Sequence, residues 1–298
     1  MADDDDLAKA PACAAYDPSP RPIDVRLPEH ACDTHFHLFG PLDRYPYKAE
    51  RSYTPPEAPE AAYRHLLQTY GFDRAVFIQP SVYGTDNSRM LSLLSTENDD
   101  VEWRGIAVLG DDVTDSALED MHELGVRGIR LNLLYSGGTD LETGLKVAER
   151  VAPLGWHMQF LIDVSQFDGF ARLVESLPVP SVIDHMGHMP AEKTAKNPGF
   201  RDFLALLREG QAWAKLSGAY RVTGRERPPY TDADALARAL IDANPRRLVF
   251  GTDWPHPSVK IPMPNDGDLM TDFFRWMDND AALTERVLVR NPAELYGF

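Results

Sequence analysis

Cysteine is almost missing from this chain: Cys13 and Cys32 are the only two in 298 residues. Cys13 lies in a stretch without apolar periodicity and Cys32 opens a strand, so no disulfide is expected, which fits a reducing cytoplasm. Positive charge is also scarce. Thirty Lys and Arg stand against 46 Asp and Glu, a net charge of -16 at pH 7. Nucleic-acid binding needs clustered Lys and Arg to neutralise phosphates and is excluded as a function. An anionic membrane surface would repel the chain. An anionic small molecule is still allowed, provided local arginines receive it. Long hydrophobic runs are absent too. No stretch approaches the ~20 apolar residues of a membrane span. The start, Met1-Ala2-Asp3-Asp4-Asp5-Asp6, lacks the basic and apolar regions of a signal peptide. There is no internal repeat, and no glycine fingerprint for a dinucleotide follows the first strand.

What is present is a regular alternation. Residues 1–28, rich in Asp, Ala and Pro, read as a flexible tail. Residues 29–298 read as one domain. Eight short apolar runs, at 32–39, 74–80, 103–109, 126–133, 156–162, 181–186, 212–216 and 248–251, suit buried strands. Between them, segments at 59–70, 115–124, 141–151, 167–177, 199–209 and 232–243 place apolar residues at helical spacing. Strands alternating with helices predict a parallel sheet covered by helices. Eight units over this length fit an α/β fold of the (β/α)8 TIM-barrel type, with an open doubly wound sheet as the alternative.

In such a barrel, chemistry gathers at the C-terminal ends of the strands. The first run, Cys32-Asp33-Thr34-His35-Phe36-His37, puts two imidazoles two residues apart, on one side of a strand. Asp184-His185-Met186-Gly187 ends the sixth run, and Asp253 ends the eighth. His35, His37, His185 and Asp253 are therefore the candidate catalytic groups, and the candidate ligands if a metal is bound. His157 opens its strand and is expected to be a satisfied structural histidine. His256, between Pro255 and Pro257, reads as a support behind the site. Arg130 lies inside the apolar fourth run, where an arginine is costly unless it is paired or faces a polar cavity. Arg221 follows the seventh run. Either can grip a carboxylate bidentately or close an internal salt bridge. The aromatic run Phe273, Phe274 and Trp276 suits either a contact between copies of the chain, making a homo-oligomer, or a helix packed inward.

These segments, with Tyr45-Pro46-Tyr47, Tyr53-Thr54-Pro55, Gln79-Pro80-Ser81-Val82-Tyr83-Gly84, Gly128-Ile129-Arg130-Leu131-Asn132 and Gly251-Thr252-Asp253-Trp254-Pro255-His256-Pro257, resemble the amidohydrolase superfamily and, within it, the 2-pyrone-4,6-dicarboxylate lactonases. The resemblance implies a hydrolase that opens a small anionic lactone in aromatic-compound breakdown. Asp253 would activate water, and His35, His37 and His185 would polarise the carbonyl and position the water. Arg130, Arg221, Tyr53, Ser81 and Tyr83 would contact substrate. It implies either no required cofactor or one divalent metal, zinc by donor type, since no ligand for a binuclear centre stands on the fourth or fifth strand. The chain departs from that pattern at Ser136, where the lactonases carry a second arginine, at Leu161 for a tyrosine, at Ser258 for an asparagine and at Tyr83 for a histidine. Pro229-Tyr230-Thr231-Asp232 and Tyr220 are similar to galactarolactone isomerases, so a sugar-acid lactonase or lactone isomerase is the enzymatic alternative. A non-catalytic small-molecule-binding barrel is the alternative of another class.

Overall fold

Eight parallel strands follow one another round a ring in a computed structural model that describes residues 10–97, 99–135 and 138–298. They are β1 (Cys32–Phe36), β2 (Arg74–Ile78), β3 (Glu102–Ala107), β4 (Val126–Asn132), β5 (His157–Leu161), β6 (Ser181–Ile183), β7 (Ala212–Leu216) and β8 (Leu248–Phe250), each paired with the next. The ring closes where the chain leaving β8 meets β1. Phe36 bridges Trp254, the His37 N–H donates to the Trp254 carbonyl at 2.8 Å, and the Asp253 N–H donates to the His35 carbonyl at 2.8 Å. Gly251 permits this approach, since a Cβ there would lie 2.5 Å from the Cβ of His35. The fold is thus a (β/α)8 barrel and not an open sheet.

The helices are α1 (Glu60–Tyr70), α2 (Ser88–Leu94), α3 (Asp115–Glu123), α4 (Leu141–Val151), α5 (Phe170–Ser176), α6 (Pro198–Arg208), α7 (Ala219–Val222), α8 (Asp234–Ala243), α9 (Asp266–Met277), α10 (Ala281–Glu285) and α11 (Asn291–Tyr296). Their starts are coded locally. Asp140 accepts from the Thr143 N–H at 2.8 Å and begins α4, which buries Gly144, Val147, Ala148 and Val151 on one stripe. Asn197 and Pro198 begin α6 in the same way, and Phe200, Phe203, Leu204 and Leu207 bury its inner face. Each such side chain contributes roughly 1.5–3 kcal/mol on leaving water.

Gly128, Arg130 and Asn132 of β4 share a face with His157, Gln159 and Leu161 of β5, which stand beside them in register. Tyr296 of α11 stops the lower end of the barrel, against Cys32, Val76, Ile78 and Ile106. Arg104 fixes this plug by donating to the carbonyls of Tyr296 at 3.2 Å and Gly297 at 2.6 Å. His157 does sit low, edge-on to Tyr296 with ring centroids 5.3 Å apart. Neither of its ring nitrogens has a hydrogen-bond partner among the described residues, so it is not the satisfied histidine expected. Burial pushes its pKa down to about 3 and keeps the ring neutral.

Two further stretches of the chain bear on these readings. From Ala10 onward, the segment read as a flexible tail is laid across the upper rim. Cys13 N–H donates to the Thr54 carbonyl at 2.9 Å, Tyr16 packs on Trp254 with centroids 4.8 Å apart, and Asn265 donates to Asp17 at 2.8 Å. Low apolar periodicity hid these contacts, which are mostly polar and made far along the chain. Phe273 and Trp276 of α9 face inward. Phe273 lies 4.5 Å from the Phe250 ring, and the Trp276 indole donates to Asp234 at 2.8 Å. These two take the inward-packed alternative, while Phe274 is only partly buried. Cys13 and Cys32 are both free thiols.

Candidate active site

The upper ends of β1, β4, β6, β7 and β8 bring charge and imidazole to one point. His35 ends the regular part of β1 and His37 follows it. Asp253 stands at φ 64, left-handed backbone that turns the chain back over the mouth directly after β8. His185, Met186, Gly187 and His188 are all at positive φ after β6, a tight turn that aims His185 inward. Gly218 makes room for it, since a Cβ there would lie 2.9 Å from His185 Nδ1.

The distances are short and the groups fully enclosed. Asp253 Oδ1 lies 3.5 Å from His35 Nε2 and 3.6 Å from His37 Nε2, and Oδ2 lies 3.7 Å from His185 Nε2. The two oxygens have different surroundings. Oδ2 accepts from the Tyr220 hydroxyl and from Arg221 Nε, the latter at 2.5 Å. Oδ1 and the facing His35 Nε2 have no hydrogen-bond partner among the described residues. A buried polar atom without a partner is costly and marks a place for a ligand or water.

Below lies a second charged layer. Asp184 accepts from Arg130 Nε at 3.3 Å and Nη2 at 3.1 Å, and its other oxygen lies 3.4 Å from His35 Nδ1 and 3.7 Å from Lys215 Nζ. Lys215, wholly buried, donates to the Thr34 carbonyl at 2.8 Å and faces His35 Nδ1 at 3.4 Å. Burial, opposed by Asp184, pushes Lys215 down to about 8. Burial and the Lys215 charge push His35 down to about 3, and burial lowers His37 and His185. The imidazoles are therefore neutral at pH 7. Burial alone would raise the carboxyls of Asp184 and Asp253, yet both are held well below the usual range by surrounding groups. With the histidines neutral, that depression rests on Arg130 and Lys215 around Asp184 and on Arg221 at Asp253.

The tautomers follow from these neighbours. His37 Nδ1 lies 2.6 Å from the Ile78 carbonyl, an acceptor, so Nδ1 carries the proton and Nε2 presents a lone pair. His35 Nδ1 lies 3.4 Å from both Lys215 Nζ, a donor, and Asp184 Oδ1, an acceptor; accepting from Lys215 leaves the proton on Nε2, and donating to Asp184 leaves a lone pair there.

The cavity above is lined by His37, Tyr53, Arg130, Asn132, Tyr135, Leu161, His185, Arg221, Asp253 and Pro257, with a volume of about 20 Å³. That is room for about one water. All four candidate catalytic residues thus converge, with Arg130, Arg221 and Tyr53 beside them. Ser81 stands next to Tyr53 but does not reach the cavity wall. Tyr83 is not brought to the site. Its hydroxyl accepts from the Gly40 N–H at 2.8 Å and its ring packs on Tyr47, so it holds a loop. Arg130 and Arg221 close internal ion pairs and also line the cavity. Ser136 lies outside the described residues. The sequence reading missed Lys215, although Ala212-Trp213-Ala214-Lys215-Leu216 carries the same signal that singled out Arg130, a cation inside an apolar strand. It also left Tyr220 without a role.

Among the described residues, two overlapping groups could hold a metal: His35, His37 and Asp253, and His35, Asp184 and His185. Tetrahedral zinc with bonds near 2.0–2.1 Å separates its ligands by roughly 3.3 Å. The 3.5 and 3.6 Å separations around Asp253 Oδ1, and the free lone pair on His37 Nε2, fit one divalent ion once His35 carries its proton on Nδ1, towards Asp184, and frees Nε2.

The chain is similar to lactone hydrolases over nearly its whole length. The chain is 34% identical to the 2-pyrone-4,6-dicarboxylate hydrolase of Comamonas testosteroni over 97% of each chain. It is 34% identical to a 4-sulfomuconolactone hydrolase of Hydrogenophaga intermedia, covering 97% of this chain and 95% of that one. A crystal structure of a putative 2-pyrone-4,6-dicarboxylic acid hydrolase from Pseudomonas putida superposes with a TM-score of 0.77 at 32% identity, covering 91% of this chain and 98% of the other. Residues 32–298 match the amidohydrolase family model, and the chain belongs to that family.

Proposed function

We propose that this protein hydrolyses a small anionic lactone, of the 2-pyrone-4,6-dicarboxylate or sulfomuconolactone type, with Asp253 as general base. The observation that carries the reading is the unpartnered Asp253 Oδ1 facing His35 Nε2 and His37 Nε2 at 3.5 and 3.6 Å. A water placed among these atoms donates one hydrogen to Oδ1 and one to the His37 lone pair, and, with Lys215 donating to His35 Nδ1, accepts from His35 Nε2–H. Its remaining lone pair is aimed at the substrate. As the water attacks the lactone carbonyl, its proton passes to Asp253. The carbonyl oxygen gains negative charge beside His185 and Arg130. The ring C–O bond then breaks, and Asp253 returns the proton to the leaving oxygen. An enolic leaving oxygen departs readily, so the chain's own groups suffice for the step.

Arg221 and Tyr53 line the same cavity and suit the substrate's anionic group. Arg130, Lys215 and Arg221 stand around Asp184 and Asp253, with Asp33 buried beside Lys215, so the charges are close to balanced and the anion must be received by direct contact with Arg221 and Arg130. If a divalent ion binds, His35, His37, His185 and Asp253 would hold it, and it would acidify bound water and polarise the carbonyl. An isomerase reading is less well supported, because the unpartnered Asp253 Oδ1 beside a water-sized cavity suits activation of a water.

A panel of carboxylated lactones, sulfonated lactones and aldonolactones, followed by pH-indicator detection of acid release, tests the proposal. Ring opening of the first two classes is expected. Isomerisation without acid release, or binding without turnover across the panel, would replace it.

A further inference from the structure

Behind Asp253 runs a line of buried polar groups that the proposed hydrolysis does not use. The Tyr220 hydroxyl, from α7, meets Asp253 Oδ2. His256 Nδ1 lies 3.2 Å from that hydroxyl oxygen, with the two rings edge to face at 84°. His256 Nε2 lies 3.1 Å from Asp266 Oδ1, in the first turn of α9. Tyr220 is 3% exposed, His256 0% and Asp266 1%. Keeping a phenol, an imidazole and a carboxylate dry is expensive unless every polar atom has a partner, and apolar residues of similar size would pack there at less cost.

We infer that Tyr220, His256 and Asp266 form a positioning chain that fixes which oxygen of Asp253 meets the water. The directions of the hydrogen bonds carry the inference. An ionised Asp253 only accepts, so the Tyr220 O–H donates to Oδ2. The phenol oxygen, its proton committed, accepts from His256 Nδ1–H. Asp266, which can only accept, takes the far N–H, so the two contacts together require a proton on both ring nitrogens of His256, and Asp266 sets the plane of the imidazole. The His256 backbone N–H also donates to the Asp253 carbonyl at 2.8 Å, locking the turn at both levels. With Tyr220 and Arg221 both on Oδ2, the carboxylate cannot rotate without breaking two hydrogen bonds, and Oδ1 stays turned to His35 and His37. The chain is thus the counterpart, on the carboxylate side, of the Ile78 carbonyl and Lys215 on the imidazole side.

This rests on Asp253 being the base, so the test has one readout that needs no turnover. In a ¹H–¹⁵N spectrum of the whole protein, His256 Nδ1 is expected to carry a proton whose resonance shifts in Tyr220→Phe. In kinetics on a lactone that the wild type opens, Tyr220→Phe is expected to lower kcat by about tenfold to a hundredfold, the usual effect of losing a supporting partner, with KM unchanged. Asp266→Asn is expected to lower kcat less. The double variant should be no slower than Tyr220→Phe alone, because Asp266 acts through the phenol. An unprotonated Nδ1, an unchanged kcat in Tyr220→Phe, or losses that multiply in the double variant would overturn the chain. A wild type that opens no lactone would sink the hydrolytic reading, and the His256 resonance would still decide the chain.

Discussion

Replacing Asp253 by asparagine isolates the base from its surroundings. The amide has the size of the carboxylate but only one acceptor. Tyr220 and Arg221 both donate to Oδ2, so the amide oxygen must take that place. The NH2 then lies where Oδ1 faces His35 and His37, and donates to the lone pair of His37 Nε2. A water there finds no base and has lost an acceptor. General-base catalysis contributes about 10²–10⁴-fold, so kcat is expected to fall by at least about a hundredfold. Arg221 keeps a neutral acceptor and loses its counter-ion. That costs roughly 1.5–3 kcal/mol, below the 3–5 kcal/mol expected when a buried partner is removed outright. The melting temperature should drop by about 3–12 °C, leaving a folded protein at 25 °C. Initial rates at saturating lactone, together with thermal unfolding followed by circular dichroism, measure both effects. A folded variant whose kcat stays within about tenfold of wild type would remove Asp253 from the role of base.

Four other outcomes follow from the same site. Arg221→Met is expected to raise KM for an anionic lactone more than it lowers kcat, while Arg130→Met mainly destabilises by stranding Asp184; a normal KM in Arg221→Met would discard the anion grip. Lys215 binds its proton less tightly in the folded state, at about 8 against the ordinary 10.5. The unfolded chain therefore holds the extra proton between those values, and stability rises with pH across that window, by about 3 kcal/mol. Urea unfolding at pH 8 and pH 10 should show the wild type gaining on Lys215→Met as pH rises, and parallel curves would refute the buried ammonium. Tyr83→Phe should cost about 1 kcal/mol and leave kinetics unchanged, whereas a raised KM would return Tyr83 to the site. Chelation is expected to leave turnover intact, and activity lost to a chelator and restored by zinc would make the ion essential.

The barrel was legible because its signals are local. Runs of apolar residues, and caps such as Asp140 and Asn197, mark strands and helices within a few residues of where they lie. His35, His37, His185 and Asp253 were legible because barrel geometry assigns every strand end to one face. What escaped depends on which side chains meet across the ring. Tyr83 sits in the same turn as Ser81, and only the fold shows its hydroxyl turned to Gly40. Lys215 could have been found by the rule applied to Arg130. Its partners Thr34, His35 and Asp184 come from two other strands and could not. The rim segment carries its information in single contacts far apart in the sequence, such as Asp17 with Asn265, and no periodicity records those.

That segment has a practical bearing. It is stitched to Thr54, next to Tyr53 in the cavity wall, and its Tyr16 ring packs at a tilt on Trp254, next to Asp253. Trimming the chain to residue 29 to obtain a tidier domain would unpick a seam shared by two sides of the pocket. Such a truncated protein should melt earlier and bind its lactone less firmly, although none of the described residues among those deleted lines the cavity.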